Sequence, residues 1–173
     1  MIHLILGGAR SGKSRHAENL ATMLEQQGKQ VIYVATAQAY DDEMTARIDH
    51  HQNSRPAQWH TVEEPYNLAK ILLQYNDKNT VILVDCLTLW LSNLLCLDSD
   101  EQFCDAKHQF LATLPQIQAD VILVSNETGL GVVPMGQLTR RFIDESGWLH
   151  QTLAQMADKV VFCVAGLPMV LKG

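Results

Sequence analysis

The chain has 173 residues, of which 47% are hydrophobic and 18% are charged, and its formal net charge at pH 7 is -6. These values are typical of a folded globular protein, and the length is that of one domain, which we expect to span residues 1–173. The mildly acidic balance lacks the basic footprint of a protein that binds nucleic acid.

Two further exclusions come from the apolar segments and the cysteines. No apolar run approaches the roughly 18 residues of a membrane span, and the first one is too short for a signal peptide. The four cysteines are widely spaced and expected to be free thiols rather than zinc ligands or disulfides: Cys86, Cys96, Cys104 and Cys163. We therefore expect a cytoplasmic protein without stable membrane insertion.

Hydrophobic periodicity predicts strands that alternate with helices along the chain. The predicted strands cover residues 2–6, 31–35, 81–84, 121–124, 160–164 and 167–171. The predicted helices cover residues 13–27, 41–51, 65–75, 87–96, 101–114 and 137–157. Residues 55–64 are expected to form a loop anchored by Trp59. Strands without polar alternation, separated by helices, are typical of a mostly parallel sheet covered on both faces.

The first strand runs directly into an octet that fits the phosphate-loop pattern G-x-x-x-x-G-K-[ST], which is Gly7-Gly8-Ala9-Arg10-Ser11-Gly12-Lys13-Ser14. Its glycines let main-chain N–H groups approach phosphate oxygens, and the following helix directs its positive dipole end at the same anion. Lys13 suits the β- and γ-phosphates, and the Ser14 hydroxyl suits Mg²⁺. The sequence therefore predicts a P-loop NTPase (RecA-like) three-layer α/β domain, with its ligand at the carboxyl ends of the strands.

Residues 81–85 have the form of a Walker B strand, in which four apolar residues carry a carboxylate to the edge of the sheet. Asp85 can there hold Mg²⁺ opposite Ser14, directly or through water. Many buried strands end in Asp at a turn without any function. The phosphate loop favours the metal-binding interpretation.

If residues 41–51 are helical, Glu43, Arg47 and His50 share one polar face. A cation and an imidazole on one face can engage a polyphosphate, and a neutral imidazole can attack phosphorus. By spacing alone, a solvated helix face with one Glu–Arg pair is the simpler interpretation. A metal site at His50 and His51 is disfavoured because adjacent helical residues point about 100° apart.

Other polar segments are less specific. Residues 126–134 contain two glycines and a proline directly after a strand, at the edge where ligands of such sheets bind. Arg140 and Arg141 can contact phosphate or can simply be surface charge. The remaining histidines are expected to be structural or solvent-exposed: His3, His16, His60, His108 and His150.

Taken together, these segments resemble one family, the bifunctional adenosylcobinamide kinase / adenosylcobinamide-phosphate guanylyltransferases of cobalamin biosynthesis. The matching segments are residues 7–18, 33–36, 41–44, 46–51 and 55–59, then Thr61 and Glu63, and finally residues 126–134. The likeness spans nearly the whole chain, and the segments around His50 and Asn126 are more specific than the phosphate loop. It therefore overturns the simpler interpretation of His50.

The resemblance implies an enzyme with two steps. The terminal phosphate of ATP or GTP first goes to the hydroxyl on the aminopropanol arm of adenosylcobinamide. GTP then guanylylates a histidine, pyrophosphate leaves, and the phosphorylated corrinoid takes GMP to give adenosyl-GDP-cobinamide. The resemblance makes His50 this nucleophile, while Lys13 is the catalytic lysine of the phosphate loop and Mg²⁺ binds Ser14 and Asp85.

The family's nucleotide contacts map onto three stretches and two single residues of this chain. They are Gly7, Gly8, Ala9, Arg10, Ser11, Gly12, Lys13, Ser14, Val34, Ala35, Thr36, His51, Gln52, Asn53, Ser54, Glu63 and Asp85. The family assembles as a trimer in which subunits complete one another's sites, so a homo-oligomer is expected by analogy.

Two alternatives differ from this interpretation in their chemistry. A monofunctional kinase of the adenylate or shikimate type would share the phosphate loop, but the chain has no obvious Arg-rich lid insertion. A regulatory or assembly ATPase would leave His50 without a role. A burst of protein-bound nucleotide separates both alternatives from the two-step enzyme.

Overall fold

The computed structural model describes residues 1–38, 56–97 and 99–173. The strands are β1 (Ile2–Gly7), β2 (Gln30–Ala35), β3 (His60–Glu63), β4 (Thr80–Asp85), β5 (Asp120–Asn126), β6 (Lys159–Val164) and β7 (Leu167–Lys172). The helices are α1 (Lys13–Gln26), α2 (Leu68–Gln74), α3 (Leu87–Leu95), α4 (Asp100–Thr113) and α5 (Gln137–Met156), and a short 3-10 helix covers Leu114–Gln116.

The described strands form one seven-stranded sheet in the order β3-β2-β4-β5-β1-β6-β7. Neighbouring strands are parallel except for β6 and β7, which are antiparallel. Parallel neighbours need crossover connections, and the described helices lie within such connections on the two faces of the sheet; the connection from β2 to β3 lies largely outside the described residues. The expected mostly parallel sheet between helical layers is confirmed.

Each face of the sheet has its own apolar core. On one face the Trp90 and Phe110 rings pack at a centroid distance of 5.0 Å, together with the buried Phe103. On the other face α1 presents Ala17 and Ala21, both fully buried, so that this helix lies close to the strands. The small residues on α1 thus bring the helix that follows the phosphate loop directly onto the sheet.

The expectation of a loop over residues 55–64 is wrong for His60–Glu63, which forms β3. Most of its side chains are exposed, so no apolar pattern marks it as a strand. Its main chain pairs in parallel with β2, from His60 opposite Ile32 to Glu63 opposite Ala35. A pairing between distant segments therefore creates this strand, whereas the local sequence does not indicate it.

Several smaller expectations can also be compared with the structure. The helix expected over residues 65–75 begins only at Leu68, because the Asn67 side chain accepts a hydrogen bond from the Lys70 N–H at 3.1 Å and caps it. Trp59 is buried and stacks on Tyr33, which confirms its packing role. The helix expected over residues 41–51 lies outside the described residues.

All four cysteines are free, as expected, although only two of them are buried. Cys86 and Cys163 are buried, whereas Cys96 and Cys104 are exposed. Within residues 1–38, 56–97 and 99–173, no helix is both long enough and apolar enough to cross a membrane.

A charged cluster closes the amino-terminal edge of the sheet around Asp120, the first residue of β5. Its carboxylate accepts hydrogen bonds from Lys29 Nζ and, at 2.7 Å, from the Met1 ammonium group. Burial raises the pKa of Asp120, but these two cationic donors outweigh it and hold the pKa below its ordinary value. Because the folded-state pKa is depressed, the carboxylate stabilises the fold above the unfolded-state pKa, and that contribution is lost as the pH falls through the folded-state pKa.

We expect Asp120→Asn to lower the free energy of unfolding at pH 7 by about 1–3 kcal/mol, the usual value of hydrogen bonds to a charged group. The difference from the wild type should shrink as the pH falls below about 4, where the unfolded carboxyl group is protonated. Urea denaturation at pH 7 and pH 3 measures both effects, with the exposed Asp105→Asn as the control. A difference that persists unchanged at pH 3 would contradict the assignment of the stabilisation to the charge.

Candidate nucleotide-binding site

The phosphate loop connects the end of β1 at Gly7 to the start of α1 at Lys13. Since β1 lies between β5 and β6, the loop sits over the carboxyl edge of the sheet and away from its ends. Lys13 is only 9% exposed, and its Nζ donates a hydrogen bond to the Gly8 carbonyl oxygen at 3.2 Å. The lysine charge is thus held within the loop, at the amino end of a helix that favours anions.

Two glycines of the loop are required by its shape. A Cβ atom on Gly7 would lie 2.4 Å from Ser11 Oγ and 2.7 Å from the Cys163 carbonyl oxygen. Gly12 has a φ of +91°, a left-handed conformation that side chains disfavour. The glycines that define the sequence pattern therefore allow this turn and its close packing against β6.

The turn between β6 and β7 supports the loop from outside. The Gly166 N–H donates to the Ser11 carbonyl oxygen at 2.9 Å, and a Cβ atom on Gly12 would lie 3.1 Å from Gly166 Cα. Two successive left-handed residues form this turn, Ala165 with φ 52° and Gly166 with φ 82°. The antiparallel hairpin at the end of the chain is therefore in direct contact with the phosphate loop.

An unpartnered hydroxyl group within the loop fits a phosphate ligand. Ser11 Oγ is buried and has no hydrogen-bond partner among the described residues. A buried hydroxyl without a partner is costly, and phosphate oxygens are strong acceptors. Together with the loop N–H groups and Lys13, it makes the loop chemically suited to a polyphosphate.

The carboxylate of Asp85 lies at the carboxyl end of β4 and is partly buried. The Tyr33 hydroxyl group, from the neighbouring β2, donates to Asp85 Oδ2 at 2.8 Å. This hydrogen bond orients the carboxylate and leaves Oδ1 for another partner. Asp85 and the half-buried Ser14 are both hard oxygen donors, the type that Mg²⁺ prefers, so the donor set fits this ion.

No group of three or more His, Cys, Asp or Glu side chains among the described residues could hold a metal ion by itself.

The structure buries the three nucleotide-contact candidates at the end of β2. Val34 and Thr36 are fully buried, and Ala35 is nearly so. The Thr36 hydroxyl group donates to the Cys86 carbonyl oxygen at 2.7 Å and accepts from the Cys86 N–H at 2.9 Å, so it holds the end of β2 against the residue after Asp85. Contacts from these residues to a nucleotide stay a prediction.

The order of the strands decides which candidates lie near each other. From one side, the carboxyl edge carries exposed Glu63 on β3, Ala35 on β2, Asp85 on β4, Asn126 on β5 and then the phosphate loop after β1. β5 therefore separates Asp85 from the loop. His50, His51, Gln52, Asn53 and Ser54 lie outside the described residues.

Arg140 and Arg141 both have partners within the protein. Arg140 donates to the main-chain carbonyl groups of Pro134 and Met135, and Arg141 forms an ion pair with Asp100 at 2.5 Å. Through these hydrogen bonds, Arg140 holds the end of the 126–134 segment against the start of α5.

His150, on α5, lies close to this edge in the folded structure, although no local pattern in the sequence predicts it. It is buried, as expected of a structural histidine, and its Nε2 lies 2.8 Å from Ser125 Oγ near the end of β5. Its Nδ1 lies 3.7 Å from Glu127 Oε2. Burial lowers the pKa of His150, although the nearby Glu127 acts in the opposite direction. The imidazole is therefore neutral near pH 7.

Comparison with known proteins identifies the family. Residues 3–171 match the model of the CobU family, described as cobinamide kinase / cobinamide phosphate guanyltransferase. The chain belongs to this family. The resemblance inferred from the motifs is thereby confirmed.

Curated relatives of the family agree over their full length. The chain is 54% identical over 173 residues to the bifunctional adenosylcobalamin biosynthesis protein CobP of Pseudomonas aeruginosa, covering 100% of this chain and 98% of the relative. It is 40% identical over 185 residues to the bifunctional adenosylcobalamin biosynthesis protein CobU of Escherichia coli K12, covering 99% and 100%.

Solved structures with a similar fold confirm the P-loop NTPase (RecA-like) class. The flagellar accessory protein FlaH of Methanocaldococcus jannaschii has a TM-score of 0.57 at 15% identity, over 99% of this chain and 77% of that one. A KaiC-like protein of Pyrococcus horikoshii OT3 has a TM-score of 0.50 at 16% identity, over 93% and 69%. At these identities the likeness concerns the fold alone.

The contact between Gly166 and the phosphate loop leads to a prediction with a matched control. Gly166 and Gly28 have φ of +82° and +92°, so alanine at either position meets a similar backbone strain of about 1 kcal/mol. Gly28 follows the far end of α1, roughly 20 Å from the loop. We expect both variants to lower the melting temperature, while only Gly166→Ala weakens MgGTP binding, by about fivefold to tenfold.

Calorimetric titration of both variants with MgGTP measures this difference. Equal nucleotide dissociation constants in Gly166→Ala and Gly28→Ala would show that the β6–β7 turn has no influence on the loop.

Proposed function

We propose that the chain catalyses two consecutive transfers in cobalamin biosynthesis. It phosphorylates the aminopropanol hydroxyl group of adenosylcobinamide with ATP or GTP, and then transfers GMP from GTP to the product through a guanylyl-histidine. The observation that carries the proposal is the match of residues 3–171 to the bifunctional family. The geometry of the phosphate loop agrees with it.

The described residues are suited to the kinase step. Lys13, the loop N–H groups and the dipole of α1 gather positive charge where the triphosphate would bind, and this charge opposes the negative charge of the transferring phosphoryl group. Ser14 and Asp85 would hold Mg²⁺, which would supply further positive charge to the triphosphate. Tyr33 orients Asp85 for this role through the hydrogen bond to Oδ2.

His50 is the proposed nucleophile of the guanylyl step, with His51, Gln52, Asn53, Ser54 and Glu63 as nucleotide contacts. A neutral imidazole above pH of about 6.5 can attack the α-phosphate, and the covalent intermediate splits one displacement into two. The support is the match of residues 46–51 to the motif that the resemblance assigns to this step.

The proposal includes a homo-oligomer, with a trimer expected by analogy. β7 is the last strand of the sheet, and its apolar side chains are more than half exposed: Leu167 72%, Met169 52%, Val170 61% and Leu171 57%. Apolar side chains on an unpaired edge favour contact with another chain.

The expected cytoplasmic location and the absence of a nucleic-acid partner stay predictions.

Labelling with GTP tests the guanylyl step. We expect acid-labile label on the protein from GTP labelled at the α-phosphate, none from the γ-phosphate, and none from either position in His50→Ala. His108→Ala, at an exposed position on α4, should label like the wild type. A wild-type protein that takes no α-label would leave a monofunctional kinase or an ATPase as the better interpretation.

Separate measurement of phosphorylation tests the kinase step. His50→Ala should keep most of its kinase activity, whereas Lys13→Ala should lose about 10²-fold or more, because it removes charge stabilisation from the transition state. The exposed Lys70→Ala is the matched control. Equal loss of both activities in His50→Ala would contradict separate roles for the two residues.

A further inference from the structure

Glu127 follows β5 at the carboxyl edge and lies directly beside the phosphate loop. Its main-chain N–H donates to the Gly7 carbonyl oxygen at 3.1 Å, which extends the pairing of Asn126 with Gly7 between β5 and β1. The Glu127 side chain is 21% exposed, so its carboxylate can be reached by a bound molecule. The main chain of Glu127 therefore lies beside the first residue of the loop, and its carboxylate is partly exposed at this edge.

A chain of buried hydrogen-bonding groups leads to this carboxylate. The Asn126 N–H donates to Thr88 Oγ1 at 2.7 Å, and Thr88 Oγ1 lies 3.3 Å from Ser125 Oγ. Ser125 Oγ in turn lies 2.8 Å from His150 Nε2. Beyond the imidazole, His150 Nδ1 faces Glu127 Oε2.

One arrangement of protons is compatible with all of these contacts. The carboxylate accepts only, so it selects the tautomer of His150 with its proton on Nδ1. Nε2 then accepts the Ser125 hydroxyl proton, which leaves Ser125 Oγ free to accept from Thr88. The second Glu127 oxygen, Oε1, accepts from the Gly129 N–H at 2.5 Å. At 3.7 Å the contact of His150 Nδ1 with Glu127 Oε2 is electrostatic, and the hydrogen bond from Gly129 holds the other carboxylate oxygen.

This arrangement resembles a Ser–His–carboxylate triad, but Ser125 is not placed to act as a nucleophile. The residue is 1% exposed, and its hydroxyl group lies inside the sheet–helix layer rather than at the open edge. Glu127 is the reachable end of the chain, so the buried groups act to orient the carboxylate.

A carboxylate next to a polyphosphate site is electrostatically unfavourable. Two negative groups at close distance repel each other, and the repulsion grows where water is partly excluded. The neighbouring Asn126 Oδ1 is buried and has no partner among the described residues, so this edge holds a second acceptor that a ligand could satisfy. The partly exposed Glu127 carboxylate therefore presents an acceptor to a molecule that brings hydrogen-bond donors.

We propose that Glu127 is a catalytic residue of the kinase step, the base that receives the proton of the acceptor hydroxyl group, and that His150 is its positioning residue. The inference rests on the proposed function, because it requires a phosphoryl acceptor. The acceptor oxygen forms a bond to the γ-phosphorus, the bond from that phosphorus to the bridging oxygen breaks, and the nucleoside diphosphate leaves with the electron pair. The hydroxyl proton passes to Glu127 and then to water.

Two substitutions at Glu127 test its role. Glu127→Gln keeps the size and an acceptor for the Gly129 N–H but cannot take the proton, so kcat for phosphorylation of adenosylcobinamide should fall by about 10²-fold or more. The dissociation constant for MgGTP should change less than threefold, and α-label should still appear on the protein at the wild-type rate. Glu127→Asp keeps the base on a shorter arm and should retain more activity than Glu127→Gln. The exposed Glu101→Gln on α4 is the control.

The positioning role of His150 has its own test. His150→Leu removes both ring nitrogens at similar volume and should lower kcat of phosphorylation by about tenfold, with little change in the dissociation constant for MgGTP. His108→Leu, on an exposed face, should change neither quantity. In the double variant His150→Leu with Glu127→Gln, the loss should not exceed that of Glu127→Gln alone, because His150 acts through Glu127.

The outcomes separate this inference from the proposed function. Wild-type kinase activity in Glu127→Gln would overturn the catalytic role. A parallel loss of MgGTP binding, α-labelling and phosphorylation would also overturn it, since Glu127 would then serve the nucleotide or its metal ion. A wild-type protein that neither phosphorylates adenosylcobinamide nor takes α-label would instead contradict the proposed function itself.

Discussion

The phosphate loop depends on the position of β1 between β5 and β6. β1 is paired on both sides as far as Gly7, and the chain then turns within five residues into α1. The turn is possible only because Gly7 lets the loop close against the Cys163 carbonyl oxygen and because Gly12 adopts a left-handed conformation. A loop of this shape in isolation would be costly in conformational entropy, so the neighbouring strands supply the constraint.

The polar groups around the loop are organised by the same strand order. β5 lies between the strand of the loop and the strand of Asp85, so its carboxyl end occupies the middle of the edge. Near that end, the Ser125 hydroxyl group contacts Thr88 and His150, and His150 lies 3.7 Å from Glu127, so these contacts connect β5 with helices on one face of the sheet. Buried polar groups of this kind stabilise a fold through the partners that they have, and the network here also positions the partly exposed Glu127.

The hairpin of β6 and β7 has two surfaces with different roles. Its turn contacts the phosphate loop through Gly166 and Ser11, whereas its outer strand exposes a row of apolar side chains. A partner chain that paired with β7 would therefore contact the same hairpin that supports the loop. In the proposed oligomer, this hairpin is a direct structural connection between subunit contact and nucleotide binding.

The class of the fold and the family could be predicted from the sequence alone, and the residues proposed for the site come from the same local patterns. These predictions use local patterns: the apolar runs, the glycine-lysine octet and the aspartate after residues 81–84. Each pattern is set by the residues of one short segment and can therefore be recognised in the sequence. Other features depend on contacts between distant segments. β3 exists because its main chain pairs with β2, although its exposed side chains carry no apolar pattern. The contact of Gly166 with Ser11 and that of His150 with Ser125 join residues far apart in the chain, whose proximity depends on strand order and on the docking of α5. No local pattern encodes such pairs, because one imidazole or one glycine has the same local preferences whether or not a distant partner is present.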